Sequence, residues 1–310
     1  MGNSTIFLDI QRQKNIGLFL KYIYDKKLNF KFIVTGSSSL NIKNIISEPL
    51  TGRKYEYLLN PLSIFEILSF YNINFKIIKN STPDVLKLLN EYMLCGGYPD
   101  VVVSKTLELK IKKISEIAKS YITKDLTDIF GADAANRIDQ TAIYLSQNIG
   151  NLLSKENISK TIGISTYKVN AHLDILIKSF IINTLNPFYK NPIKEVSHRP
   201  KVYFLDNGLR NVLINKTSPQ FITNDIGKLF EQTVWQILET KFNSRISYWR
   251  NINQTEVDFI IKETEKVNVI ETKYSFNNKT TRNLESFKEN YKNIINKSFL
   301  ITKDNFISLF

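Results

Sequence analysis

Near the end of the chain, Glu256-Val257-Asp258-Phe259-Ile260-Ile261 places a carboxylate at the start of an apolar run, and Val269-Ile270-Glu271-Thr272-Lys273 follows, with a second carboxylate at Glu271, thirteen residues after Asp258, and an amine. Side chains alternate along a strand, so Glu271 and Lys273 project to one face while Ile270 turns to the core. A hairpin between the two runs brings Asp258 to the same place. Carboxylate and main-chain carbonyl oxygens are hard ligands, suited to Mg²⁺ or Mn²⁺. Such a cation polarises a phosphate and lowers the pKa of a bound water. Lys273 is then placed to orient the water or to balance charge on the phosphate. Asp258 and Glu271 are the expected metal ligands, on the polar rim of a sheet, and Glu256 is a second-rank candidate on the same strand. The alternative is a surface hairpin carrying a solvated Glu–Lys pair.

The elements that would position these residues are legible around them. Beyond Asn186 short apolar runs recur at Val202–Leu205, Ile246–Trp249, Val257–Ile261, Val267–Ile270 and Phe299–Thr302, with helical spacing near Ile226–Lys241 and Thr280–Asn293. That alternation predicts an α/β unit on a mixed sheet over residues 187–310. Residues 137–186 read as a compact helical unit. Within it, Ser154 and Ser165 are placed as N-caps of two helices joined by a turn at Gly163, with Ile158, Ile162, Val169, Leu173 and Leu176 facing inward. Residues 76–136 read as a helical region interrupted at Cys95-Gly96-Gly97-Tyr98-Pro99. Residues 1–75 begin as strand, helix, strand: Ile6-Phe7-Leu8, a helix from Asn15 to Lys27, Phe30–Thr35, then a third strand at Tyr55–Leu59. Short links predict a parallel sheet, and three strands are few for a sheet buried on both faces.

Several motifs carry a family resemblance. Leu8-Asp9-Ile10-Gln11 resembles a Walker B strand end without its usual Glu; Thr35-Gly36-Ser37-Ser38-Ser39 resembles the polar strand end that senses a γ-phosphate; Thr51-Gly52-Arg53 resembles a Gly-Arg pair that reaches a neighbour's nucleotide. Leu59-Asn60-Pro61-Leu62-Ser63, Gly96-Gly97-Tyr98-Pro99, the stretch Pro200 to Leu209 and Tyr248-Trp249-Arg250 match the same family in order. The chain therefore resembles prokaryotic AAA-type ATPases whose last domain is similar to PD-(D/E)XK nucleases and is generally of unknown function. The resemblance implies a partial AAA-type parallel sheet, a helical lid, a winged helix-turn-helix and a PD-(D/E)XK-like domain. It implies Glu231, in Gly227-Lys228-Leu229-Phe230-Glu231, as the first-helix carboxylate completing a catalytic set with Lys273. It implies Thr166, Tyr167, Lys168 and Asn170 at the start of a recognition helix, where side chains meet base edges. Asp9, Ser37, Ser38 and Arg53 would be the remnant of a nucleotide site. No G-x-x-x-x-G-K-[ST] occurs in the chain. That loop supplies the backbone donors and lysine that cradle phosphates, so ATP use by this chain alone is not expected.

Bulk properties bound these readings. The 43% hydrophobic and 23% charged fractions are those of a globular protein. A single cysteine, Cys95, excludes an internal disulfide and fits a reducing compartment. The first residues lack the pattern of a secretory signal, and no apolar run approaches a spanning length. A cytoplasmic protein is expected. The net charge of +13 is spread as +5, +3 and +5 over residues 1–136, 137–197 and 198–310, so attraction to nucleic acid and simple Lys/Asn/Ile enrichment both account for it. The expectation is a nuclease-like protein acting on nucleic acid with Mg²⁺ or Mn²⁺. Its rivals are a non-catalytic DNA- or protein-binding module, and half of a split ATPase completed by a separate P-loop polypeptide. A second copy of the chain or a separate ATPase subunit is the expected protein partner.

Overall fold

The computed structural model describes residues 4–9, 16–27, 30–35, 52–75, 80–120, 126–189, 199–242, 245–276 and 282–309. Strands β1 (Ser4–Asp9) and β2 (Phe30–Thr35) flank helix α1 (Ile16–Asp25) and pair in parallel, with Asp9 opposite Thr35. The expected third strand is not one: Tyr55–Leu59 forms no ladder, and Tyr55, Tyr57 and Leu59 are 90%, 90% and 96% exposed. An alternating aromatic run has strand propensity, but propensity without a partner strand buries nothing.

A helical stretch follows: α2 (Ile64–Phe70), α3 (Pro83–Cys95), α4 (Pro99–Val102), α5 (Leu107–Ala118), α6 (Leu126–Phe130) and α7 (Ala132–Gln147). Its starts are chemically marked. Ser63 and Glu66 form a reciprocal capping box on α2, and Thr82 caps α3 with Pro83 in the first turn. The interruption at Gly96-Gly97 is a junction rather than a plain turn. Leu62 N–H donates to Gly97 O at 2.8 Å, and Gly97 N–H donates to the buried Asp206 carboxylate at 2.7 Å.

Helices α8 (Lys155–Ile162) and α9 (Thr166–Lys178) carry the predicted Ser154 and Ser165 caps, and Gly163 closes α8 in the left-handed conformation at φ 73°. Ile158, Val169, Leu173 and Leu176 are buried between them. Strand β3 (Ile182–Leu185), which the helical reading of 137–186 overlooked, pairs antiparallel with β4 (Lys201–Phe204). Helix α10 (Asn207–Leu213), also unforeseen, is capped by Asp206, which accepts from Leu209 N–H at 2.8 Å.

Helix α11 (Pro219–Phe242), β5 (Ile246–Arg250), β6 (Glu256–Lys262), β7 (Val267–Thr272), α12 (Arg282–Tyr291) and β8 (Ile295–Ile301) form the expected α/β unit. The sheet order is β5-β6-β7-β8, with the first two pairings antiparallel and β7–β8 parallel. Phe259, Ile261 and Ile270 join a core shared with α11 and the helices before it, whereas Trp249, Ile260, Val267 and Val269 pack with Leu284 and Phe287 of α12. Layers of helix on both faces leave the strand ends, not the faces, for polar residues. Among the described residues no helix is long and apolar enough to cross a membrane.

Candidate carboxylate site

The β6–β7 ladder pairs Phe259 with Ile270, so one further step sets Asp258 opposite Glu271. The backbone ladder gives way there. Thr272 donates both its backbone N–H and its hydroxyl to Asp258 Oδ2, each at 2.7 Å. A carboxylate thus takes the acceptor role that a main-chain carbonyl would otherwise fill. Asp258 is only 7% exposed and Glu271 not at all, which overturns the expectation of rim positions. Helix α12 closes over the strand end, and its Asn283 donates to Glu271 Oε1 at 3.0 Å.

Lys273 lies on the same face as Glu271, as alternation requires, and its Nζ is 2.9 Å from Glu271 Oε1. The other oxygen, Glu271 Oε2, is buried and has no hydrogen-bond partner among the described residues. Burial and the nearby Asp258 push the Glu271 carboxyl up to about 7, against the pull of Lys273 and Asn283. Burial disfavours the Lys273 ammonium, but Asp258, Glu271 and Glu231 outweigh it and hold its pKa above the ordinary lysine value.

Glu231, about three turns into α11, reaches the same neighbourhood from the helix side. It is pushed up by burial and by Asp258, and drawn down by Lys201 and Tyr203. Lys201 Nζ lies 3.1 Å from Glu231 Oε1 and Tyr203 donates its hydroxyl to the same oxygen at 2.7 Å. Lys201 is 1% exposed, and its amine is also 2.6 Å from Glu256 Oε1. Glu256 in turn meets Arg250 at 3.2 Å. Gly150 lines the other side, where a Cβ would stand 3.0 Å from Glu231 Oε1. Lys201, Tyr203, Thr272 and Asn283 were not singled out from the sequence. Lys201 carried a signal: a lysine two residues before a tyrosine, on the same face of a four-residue strand that is otherwise apolar.

The remaining expected residues do not join this cluster. Thr166, Tyr167, Lys168 and Asn170 are exposed at the start of α9, with Tyr167 81% exposed. Arg53 ion-pairs with Asp25 Oδ1 at 3.2 Å and lies 5.7 Å from the Tyr24 ring. Asp9 ends β1. Ser37 and Ser38 lie outside the described residues.

Comparison with known proteins assigns names to these segments. Residues 1–68 match an AAA domain. Residues 86–220 match a domain of unknown function, DUF8612, and residues 226–308 another, DUF4143. The N-terminal segment is thus related to AAA-like ATPases, and the four-stranded sheet lies in the second of the uncharacterised domains. An uncharacterized protein of Haemophilus influenzae is 24% identical over 86% of this chain and 65% of its own length. Uncharacterized proteins of Methanocaldococcus jannaschii and Mycobacterium bovis are 25% and 20% identical, over 83% and 82% of this chain and 58% and 55% of theirs. The chain therefore spans about 55–65% of the length of these relatives. No solved structure matches.

The residues present fit a divalent cation in one respect that geometry alone decides. A buried carboxylate oxygen without a donor carries its full desolvation cost, and Glu271 Oε2 is such an oxygen beside a second buried carboxylate. Among the described residues no three Asp, Glu, His or Cys side chains are grouped as a metal-binding set, so an ion here would rest on the two carboxylates of Asp258 and Glu271 alone among the side chains.

Proposed function

We propose that this chain carries a metal-dependent, nuclease-like site that acts on nucleic acid, joined to its AAA-like N-terminal segment. The observation that supports it is the meeting of Asp258, Glu271 and Lys273 at one strand end, with Glu271 Oε2 buried and unpartnered among the described residues. Mg²⁺ or Mn²⁺, when bound, supplies a polarised phosphate and an acidified water. Asp258 and Glu271 would hold the ion. Thr272 keeps Asp258 oriented through two hydrogen bonds, and Asn283 and Lys273 fix Glu271 through its other oxygen. The Lys273 side chain is 43% exposed, so its ammonium faces an arriving phosphate while remaining tied to the ligand. Glu231 supports the site from α11. The α8–α9 pair is the element we assign to nucleic acid as a winged helix-turn-helix, through the exposed Thr166, Tyr167, Lys168 and Asn170.

The test uses the full chain. Mg²⁺ or Mn²⁺ raises its unfolding temperature, because a ligand that prefers the folded state stabilises it by mass action, and single- or double-stranded DNA or RNA is cleaved in the presence of the ion. Asp258→Ala removes both responses. No thermal response and no cleavage by the wild-type chain would leave the non-catalytic binding module in its place. The split-ATPase reading concerns the other end, and the sheet β1–β2, two-stranded among the described residues, favours it. Its signature is ATP binding that appears only when a second polypeptide supplies a G-x-x-x-x-G-K-[ST] loop.

A further inference from the structure

Strands β5 and β6 are joined by a tight hairpin whose tip lies at the same end of the sheet as Asp258, Glu271 and Lys273. Arg250 pairs with Glu256 across the last rung. Asp258 is the third residue of β6, beside the end of β7 that carries Glu271. The tip, Asn251-Ile252-Asn253-Gln254-Thr255, contains no charged residue, and hydrogen bonds hold it in one shape. Asn251 N–H donates to Thr255 O at 3.0 Å, Gln254 N–H to Asn251 O at 3.1 Å, and Thr255 N–H to Asn251 Oδ1 at 2.9 Å. The Arg250 guanidinium reaches both Glu256 and the Gln254 side-chain oxygen, at 3.2 and 3.3 Å. Gln254 takes the left-handed conformation at φ 63°, which ends the turn and leaves Ile252 and Asn253 at its crest. Ile252 is 101% exposed.

The fold gives no reason for that side chain. Turn crests favour Gly, Pro, Asn, Asp and Ser, and a branched aliphatic there buries nothing, whereas Trp249 and Val257 on the adjoining strands are buried. We propose that Ile252 is a wedge for duplex DNA, entering the minor groove at a base step with the amides of Asn253 and Gln254 in the groove beside it. Apolar side chains inserted in this way partly unstack a step, and Asn and Gln are among the residues suited to the minor groove. The size of the feature selects the partner. A stable protein interface takes about 800 Å² from each side, which one aliphatic side chain among uncharged amides does not offer. A base step is filled by a single side chain. Ile252 is six positions from Asp258, a span of at most about 22 Å. A duplex held on the tip therefore lies alongside the strand end where Lys273 is half-exposed. This inference rests on the nucleic-acid reading above and adds the form of the substrate and the residue that engages it.

The test uses the full chain without divalent ions and duplex DNA carrying 2-aminopurine, whose fluorescence rises on unstacking, at TA steps, which open readily. The wild-type chain raises the fluorescence on binding. Ile252→Ser removes a fully exposed side chain, so its melting temperature matches the wild type. It binds the duplex about tenfold more weakly and leaves the fluorescence at the level of free DNA. Ile252→Leu, which keeps an apolar wedge, retains both binding and the fluorescence rise. Ile252→Ser protein that binds and unstacks as the wild type does overturns the proposal. So does wild-type protein that binds with no fluorescence rise, or that binds no duplex. Adding Mg²⁺ separates this inference from the nuclease reading: cleavage without unstacking overturns the wedge alone, and unstacking without cleavage overturns the nuclease site alone.

Discussion

Glu271 is the residue on which the chemistry turns, because its two oxygens have opposite circumstances. Oε1 is held by Lys273 and Asn283, and Oε2 is buried without a partner among the described residues. With no cation present, the charge is a liability. Burial and Asp258 raise its pKa from 4.5 to about 7, so the folded state binds the proton more tightly than the unfolded chain. The penalty is absent below pH 4.5, grows as pH rises to about 7, and stays constant above that. Glu271→Gln should therefore stabilise the metal-free protein at pH 8 by about 1–2 kcal/mol, and by much less at pH 5, measured by urea unfolding. It should also abolish any stabilisation by Mg²⁺. Equal effects at both pH values would contradict the buried-charge account. Asp258→Ala differs: it strands the Thr272 N–H and hydroxyl, so it should cost about 1–3 kcal/mol even without metal, besides removing the metal response.

At the scale of elements, the junction of α3, α4 and α10 holds the helical region to the C-terminal unit. Asp206 caps α10 and accepts from Gly97 N–H across the junction, while the backbone of Gly208 lies against the Cys95 carbonyl. A Cβ at Gly97 would collide with the Leu62 carbonyl oxygen, so Gly97→Ala must displace the backbone that pairs with Leu62. Loss of about 2–4 kcal/mol or failure to fold is expected, read by circular dichroism and thermal melting. Asp206→Ala leaves Gly97 N–H buried without an acceptor and removes a helix cap, for a similar loss. Burial pushes the Asp206 carboxyl up to about 6, against the pull of its backbone donors. Its charge thus costs stability as pH rises from about 4 to 6, and in Asp206→Asn that component of the pH dependence should vanish. A mutant whose stability–pH curve keeps the wild-type shape would refute this assignment.

For the molecule as a whole, the +13 net charge is the property any nucleic acid meets first. It is not focused on α9, where Lys168 near the start and Lys178 at the end are accompanied by Asp174. Binding through such a surface proceeds by phosphate contacts and counter-ion release, so affinity should fall steeply with salt and vary little with sequence. Fluorescence anisotropy with labelled duplexes between 50 and 200 mM salt measures both. Lys168→Ala should lower the slope of log affinity against log salt by about one and weaken all sequences alike. Sequence-selective, salt-insensitive binding would show that base edges, not phosphates, are read.

What was legible in the sequence follows from local physics. Periods of 2 and 3.6, serine caps and Gly163 located β2, α8, α9 and β5–β7 to within a few residues, because those signals act over one or two turns, whereas α11 begins seven residues before the helical spacing at Ile226. The grouping of Asp258, Glu271 and Lys273 followed from strand alternation and a hairpin. Tyr55–Leu59 was misread, since strand propensity has meaning only beside a partner, and β3 and α10 are short elements stabilised by what they pack against. Tertiary structure alone decided three things: that Asp258 and Glu271 are buried rather than on a rim, that one oxygen of Glu271 lacks a partner, and that Lys201 stands between Glu231 and Glu256. These depend on residues from 12 to 30 and more positions apart in the chain, and no local signal reports a distance across the fold. Asp206 joins Gly97 over 109 positions by the same rule: side-chain chemistry can be read along the chain, but the partner that gives it a role is chosen by packing.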